Sequence, residues 1–447
     1  MWSRSGGILK QVSASSYQVA KLNNWSRSIT RLAALWGNGD FGRLGLGDLN
    51  SQSRPSFCPP SAFDNHNLRD IACCGAHTLF LTENGSVYAA GLNDFGQLGL
   101  SDSDYATEPR YISGLPKEVI HIAAGYHHSA AITADGELYV WGKNLHGQLG
   151  LGKRSDNVVS TPIKVDCLNG ITVKMAALGS EHSIAITDTG EALSWGNGDS
   201  GRLGHGHDSS FLGFLKSSSE YTPRLIRSLE DVKIKFVAAG LLHTACIAEN
   251  GSVFLFGERA LPNLGFSGRR KVTTPTIIDN LPYSEEVACG AYHTCVITGG
   301  GDLYAWGSND NGCLGIGCTD VCHSPERVEG PILKSHVNKV SCGWKHTAAV
   351  SGKGILGMNR GLMGSYPALR KFFAEVEQLG CYYSSIDTKR GSNSVEHREG
   401  LLERIGGQVH EHFFALTQEA TIAHHDHFEA LSQRLCGITN EALMGTS

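Results

Sequence analysis

Six histidines recur along this chain at a nearly constant interval, and imidazole is the side chain best suited to acid–base or metal chemistry near neutral pH. They are His77, His128, His182, His243, His293 and His346, separated by 51, 54, 61, 50 and 53 residues. A catalytic or metal-binding set must converge on one point. Equivalent positions in a radial repeat array are rotated about an axis and lie far apart, so these six are expected to be structural, each tying a turn together by a hydrogen bond to backbone. Cys313, Cys318, Cys322 and His323 form a Cys-x4-Cys-x3-Cys-His cluster. Zinc sites usually pair cysteines two to four residues apart with a distant second pair, so this spacing is read as coincidental. His424, His425, Asp426 and His427 stand together near the C-terminus. On a helix only positions three or four apart share a face, and the run is read as a solvated one. Arg269, Arg270 and Lys271 make the one dense basic run. It is a candidate partner contact, weighed against an ordinary solvated loop. No phosphate-cradling glycine loop ending in Lys-Ser/Thr, nucleophile elbow or zinc-protease motif is present. The expectation is therefore a protein without catalytic residues, metal or cofactor.

The elements that carry these residues are repeats. Leu35-Trp36-Gly37 through Gly42-Arg43-Leu44-Gly45 returns at Trp141-Gly142, Trp195-Gly196 and Trp306-Gly307, without its Trp at Ala90-Gly91, and degraded at Phe256-Gly257. A second phrase, Gly-x-x-His-Thr/Ser, keeps the same phase of roughly 50 residues, the mark of a repeat architecture. Between the phrases lie short apolar runs joined by Asn84-Gly85 or Asp135-Gly136, the strongest short-range hairpin signal. Gly-Gln/Arg-Leu-Gly then reads as a tight turn around one buried leucine, and Pro109, Pro162, Pro223, Pro275 and Pro325 mark a further edge strand. Four short strands per repeat is one blade of a β-propeller. Trp36, Trp141, Trp195 and Trp306 are expected to pack between blades.

The chain has 447 residues, 38 basic against 43 acidic, a net charge of −5, and 55 glycines that the turns explain. That balance argues against coating a polyanion by bulk charge. No apolar run approaches the roughly 20 residues of a membrane helix. From Met1 to Gly39 there is no Asp or Glu, while Arg4, Lys10, Lys21, Arg27 and Arg31 alternate with many serines. An acid-free, Arg-bearing, Ser-rich leader has the character of an organelle transit peptide. Residues 1–33 are thus expected to direct the chain to the mitochondrion, with plastid or nucleus as alternatives. Among the 13 cysteines, Cys74, Cys289 and Cys342 fill a slot that other repeats give to alanine, so a reducing compartment suits them better than a disulfide framework.

The propeller is expected over residues 34–351. Residues 352–447 form a non-repeat tail with candidate helices at Pro367–Leu379 and Thr421–Leu435. The chain opens on an unpaired Trp-Gly half and closes on an unpaired His-Thr half. Pairing these in one sheet predicts a ring of six blades, five continuous and one shared.

The two phrases, in phase from about Leu35 to Ser351, resemble the regulator-of-chromosome-condensation repeat family. The resemblance implies an all-β, seven-bladed propeller, against the six recognisable repeats here. The founding member is a chromatin-bound guanine-nucleotide exchange factor for a small GTPase. Plant relatives include an ultraviolet-B photoreceptor and a mitochondrial protein needed for splicing of a complex I subunit transcript, which the chain is similar to in leader and repeats. Trp344 stands alone in a slot where the photoreceptor uses several tryptophans; Ala76, Leu242 and Tyr292, with Tyr126 or His127 according to the alignment of that phrase, fill it elsewhere, which argues against photoreception. The implied function is a non-enzymatic scaffold for protein partners such as mitochondrial RNA-processing factors, with exchange activity on a small GTPase as the alternative. Direct RNA binding is left open, and no small-molecule substrate is expected. Residues 207–220, which lengthen one repeat, are the expected partner-specific loop.

Overall fold

Each apolar run that follows a recurring histidine is a strand buried along its whole length. His77–Thr82, His128–Thr133, His182–Thr187, His243–Ala248 and His293–Thr298 have no exposed residue. They read as continuous apolar or small residues because neighbouring sheets cover both faces. In the second sheet, His77–Thr82 pairs antiparallel with Leu68–Cys74 on one side and Val87–Leu92 on the other. Tyr105–Tyr111 adds the outer edge. The hairpin turns at Gly85, whose φ of 81° lies in the region that glycine enters without strain. Burial falls towards the outer strand, which is half exposed and tolerates Pro109 because its far edge needs no ladder donor.

The structure is a computed structural model that describes residues 17–23, 31–116, 118–153, 155–206, 219–258, 271–309, 311–330, 336–351 and 354–358. All lie in the first of two units, Met1–Tyr366. They form seven antiparallel sheets. Five have four strands in sequence order, within 68–111, 119–164, 173–225, 234–277 and 284–327. The first has Tyr17–Asn23, Arg31–Gly37 and Gln52–Cys58; the seventh has Val337–Cys342, Thr347–Ser351 and Gly354–Met358. The chain is thus an all-β propeller of seven blades.

This corrects the expectation of six. The two unpaired halves do not share a sheet. Tyr17–Asn23 pairs with Arg31–Gly37, and Gly354–Met358 pairs with Thr347–Ser351, so each half completes its own hairpin. Neither added strand carries a repeat phrase. Tyr17 lies opposite Gly37 in the register that places His77 opposite Gly91, so tyrosine stands where the phrase has histidine. Tyr17–Asn23 also lies inside the segment read as a leader. The candidate tail helices and the residues of the expected partner loop at 207–218 fall outside the described residues.

The apolar core sits in the junctions. Six buried clusters each join two successive sheets. Trp141, Trp195 and Trp306 lie at such junctions and are at most 2% exposed. Burying one such ring contributes about 4–6 kcal/mol by area, as an upper bound. Among the described residues the leucines of the glycine turns are equally buried: Leu44, Leu98, Leu149, Leu203 and Leu314.

Candidate functional site

The recurring histidines form one joint, repeated between blades. The turn of each Gly-x-x-His phrase is closed by its own backbone: Gly125 N donates to His128 O at 2.8 Å and Gly179 N to His182 O at 2.9 Å, with Gly240, Gly290 and Gly343 repeating the bond. The ring therefore points away from its own turn. His77 Nε2 lies 2.9 Å from Ser129 Oγ, His128 Nε2 3.1 Å from Ser183 Oγ, and His182 Nε2 2.9 Å from Thr244 Oγ1. His243 and His293 reach Thr294 and Thr347 at 3.1 and 2.8 Å. In every case the partner belongs to the next blade. This differs from the expected hydrogen bond to backbone within the turn: the glycine N–H closes the turn, and the ring bonds a side-chain hydroxyl across the junction.

The hydroxyl has a second task. Ser129 Oγ donates to Gln97 O, Ser183 Oγ to Gln148 O and Thr244 Oγ1 to Arg202 O, each at 2.7 Å. These carbonyls belong to the glycine turn of the preceding blade. Trp141 Nε1 and Trp195 Nε1 donate to the same Gln97 and Gln148 carbonyls at 2.9 Å. Because the hydroxyl spends its proton on the carbonyl, it accepts from histidine, which fixes the neutral tautomer with hydrogen on Nε2. Burial keeps these rings neutral: desolvation drives His77, His128 and His293 down to about 3, and His243 and His346 to about 4. Nδ1 of His77, His128 and His182 is buried without a partner. The ring also needs the glycine beneath it, since a Cβ on Gly179 would lie 2.2 Å from His182 Cε1.

The candidate metal ligands do not assemble as the sequence spaces them. Cys313 is buried and its thiol donates to Ser308 O at 3.1 Å, while Cys318 is exposed and Cys322 bonds Ser324 O and Glu326. Buried His293, Cys295 and Cys342 instead bring their ligand atoms within 4.8 Å of one another. The Thr347 hydroxyl occupies the middle of that group, 2.8 Å from His293 Nε2 and 3.7 Å from both sulfurs, so the trio is packed around a side chain. Arg269, Arg270 and the histidines at 424–427 lie outside the described residues; Lys271 opens the strand Lys271–Ile277.

The faces of the blades remain for recognition. Sequence reading missed a cavity of about 690 Å³ where residues of the first, second, third, sixth and seventh blades meet. Trp36, Phe41, Arg43, Tyr126, Trp344 and Lys345 line it. The Tyr126 and Trp344 rings approach to 5.6 Å between centroids, tilted by 54°. Arg43 Cζ stands 5.4 Å over the Phe41 ring, and Phe41 is 45% exposed. On the fourth and fifth blades Glu181 pairs with Lys143 at 3.3 Å, and Glu258 accepts from Ser200. No described helix is long and apolar enough to cross a membrane.

Comparison with known proteins agrees with this geometry. An RCC1-like domain matches residues 9–211, and the regulator of chromosome condensation (RCC1) repeat matches 189–247 and 300–350. The Ultraviolet-B receptor UVR8 of Arabidopsis thaliana is 35% identical over 335 residues, 74% of this chain and 73% of the receptor. The mitochondrial RCC1 domain-containing protein RUG3 of the same plant is 34% identical over 303 residues, 66% of this chain and 65% of that protein. The chain spans only 32% of the human ubiquitin ligase HERC4, which it also matches. The crystal structure of Prp20p from Saccharomyces cerevisiae has a TM-score of 0.64 at 22% identity, covering 78% of this chain and 82% of that one.

Proposed function

The chain belongs to the regulator of chromosome condensation repeat family, and on that premise we propose that it is a non-enzymatic propeller scaffold for protein partners in mitochondrial transcript splicing and respiratory complex I biogenesis. The observation that carries the reading is the use of the recurring histidines. Five of them are spent on joints between blades, neutral and shut away from solvent, so chemistry is replaced by framework and recognition falls to the rims. The mitochondrial half is supported by the acid-free leader and by the likeness to mitochondrial RUG3. The splicing half follows from the resemblance to the plant member that serves a complex I transcript. In this reading the targeting segment lies within residues 1–33, of which Tyr17–Asn23 also serves as a strand of the first blade, and Arg269, Arg270 and Lys271 are a partner contact.

Affinity purification of the tagged chain from organelles tests it. RNA-processing proteins and unspliced complex I transcripts are expected in the eluate, and intron-bearing transcripts should accumulate when the gene is silenced. Recovery of neither, or a fusion of the first ~60 residues that keeps a reporter in the cytosol, overturns the reading. Accelerated GDP release from a small GTPase by the purified chain would instead favour exchange activity, for which the likeness to Prp20p supplies only a shared fold.

A further inference from the structure

The cavity lined by Trp344 and Phe41 has no acid in its walls. The chain carries a net charge of −5, yet no carboxylate lines this cavity, and Arg43 and Lys345 do. Four aromatic residues share the lining: Trp36, Phe41, Tyr126 and Trp344. Their positions are set by different blades. Trp344 and Lys345 occupy variable slots of the Gly-x-x-His turn of the seventh blade, Tyr126 one in that of the third blade, and Phe41 the loop of the first. The turn that holds Tyr126 is anchored to its neighbour, with Tyr126 N donating to Gly179 O at 3.1 Å. Tyr126 also packs on Gly75, where an added Cβ would meet its carbonyl oxygen at 2.5 Å. Phe41 is held at a φ of 61°, a conformation uncommon for any residue but glycine, and this turns its ring outward to 45% exposure. Arg43 is fixed behind it, with Nε donating to Asp40 O at 2.7 Å. Lys345 is exposed at the mouth.

We propose that this cavity binds a nucleotide, its planar base lying against Trp344, Tyr126 and Phe41 and its phosphate meeting Lys345 and Arg43. Base–aromatic stacking is worth about 1–3 kcal/mol per base and tolerates any base, and Arg and Lys are the usual partners of phosphate. A volume of about 690 Å³ is of the size that takes a small organic ligand. An acidic peptide would answer the two cations but leave the ring walls without a planar partner. The nucleotide comes either free or as one unit of a single-stranded RNA. The inference leans on the proposed splicing role only for that second source.

The test uses the purified full chain with a labelled single-stranded 12-mer RNA, with AMP and GMP, and with a poly-glutamate peptide. Binding of RNA or mononucleotide is expected. Lys345→Glu, at an exposed position, and Trp344→Ala should each weaken it by about tenfold or more. Trp344→Phe should keep most of it. Lys235→Glu, in the strand Ile234–Ala239 of the fifth blade beside Tyr283 and outside the cavity lining, should leave it unchanged. Two phosphate contacts give a log–log salt slope of about −1.4 for single strands. Mononucleotides that displace the RNA would assign a free-nucleotide site, and binding of RNA alone would assign a strand. Absence of both, an affinity untouched by Lys345→Glu, or poly-glutamate binding as tightly as RNA would overturn the proposal. A splicing role could fail in the organelle while this binding held, and the reverse.

Discussion

The joint between the fourth and fifth blades offers a direct energetic test. His182 and Thr244 are fully buried, with 2.9 Å between Nε2 and Oγ1, and Thr244 donates onward to Arg202 O at 2.7 Å. His182→Ala removes one neutral hydrogen bond, about 1 kcal/mol, and leaves an imidazole-sized void that costs about 2–3 kcal/mol more. Thr244→Val keeps the volume but strands the ring N–H and the Arg202 carbonyl, at about 2–3 kcal/mol. Once either residue is gone, the other loses its reason to be there. The double variant should therefore be less destabilised than the sum of the two by at least about 1 kcal/mol. Urea unfolding of wild type, both single variants and the double variant measures this, read as midpoints at constant m-value. Thr244→Ser retains the hydroxyl and should behave nearly as wild type. Additivity within about 0.3 kcal/mol would show that the contact does not couple the blades, and the account of the joint would fall with it.

The same joints set a response to acid. Their folded histidines titrate near 3 to 4, below the roughly 6.5 of an unfolded chain. The unfolded state thus binds more protons over that interval, so stability is complete above about pH 6.5 and declines as pH falls towards 4. Urea midpoints at pH 7.5, 6 and 5 should drop in that order, before most carboxylates titrate; a flat profile contradicts neutral buried rings. Gly179→Ala should destabilise by several kcal/mol, since its Cβ would strike His182 and Gly240 O at 2.2 and 2.6 Å, whereas Gly330→Ala, with open space around it, should change little. Thermal melting of the pair separates steric from backbone effects, because neither glycine has a positive φ. Trp195→Phe keeps the apolar ring but loses the 2.9 Å bond to Gln148 O, and a loss of about 1–2 kcal/mol in the same urea assay is expected.

How much of this was legible in the sequence differs by scale. Hairpins, glycine turns and buried leucines are local, so Asn84-Gly85 and Gly96-Gln97-Leu98-Gly99 announce them directly. The blade count was not, because Tyr17–Asn23 and Gly354–Met358 pair into their sheets without carrying either repeat phrase. The histidine's partner was hidden for another reason. His77 and Ser129 are 52 residues apart, and only the stacking of blades makes the next repeat's hydroxyl the nearest acceptor. The cavity was further out of reach: Phe41, Tyr126 and Trp344 come from three blades, and nothing in their own neighbourhoods marks them as companions.

In each interior pair, from His128-Ser129 to His293-Thr294, the first residue reaches forward and the second receives from behind. The two halves of the joint are thus consecutive in every copy. Any copy can follow any other without redesign of the seam, so the number of blades is open to change by gain or loss of a whole unit. Circular permutation that cuts at a surface loop should leave every interior seam intact. The termini then become a matter of where the gene happens to start, and divergence is free to act on the rims while the spokes stay the same.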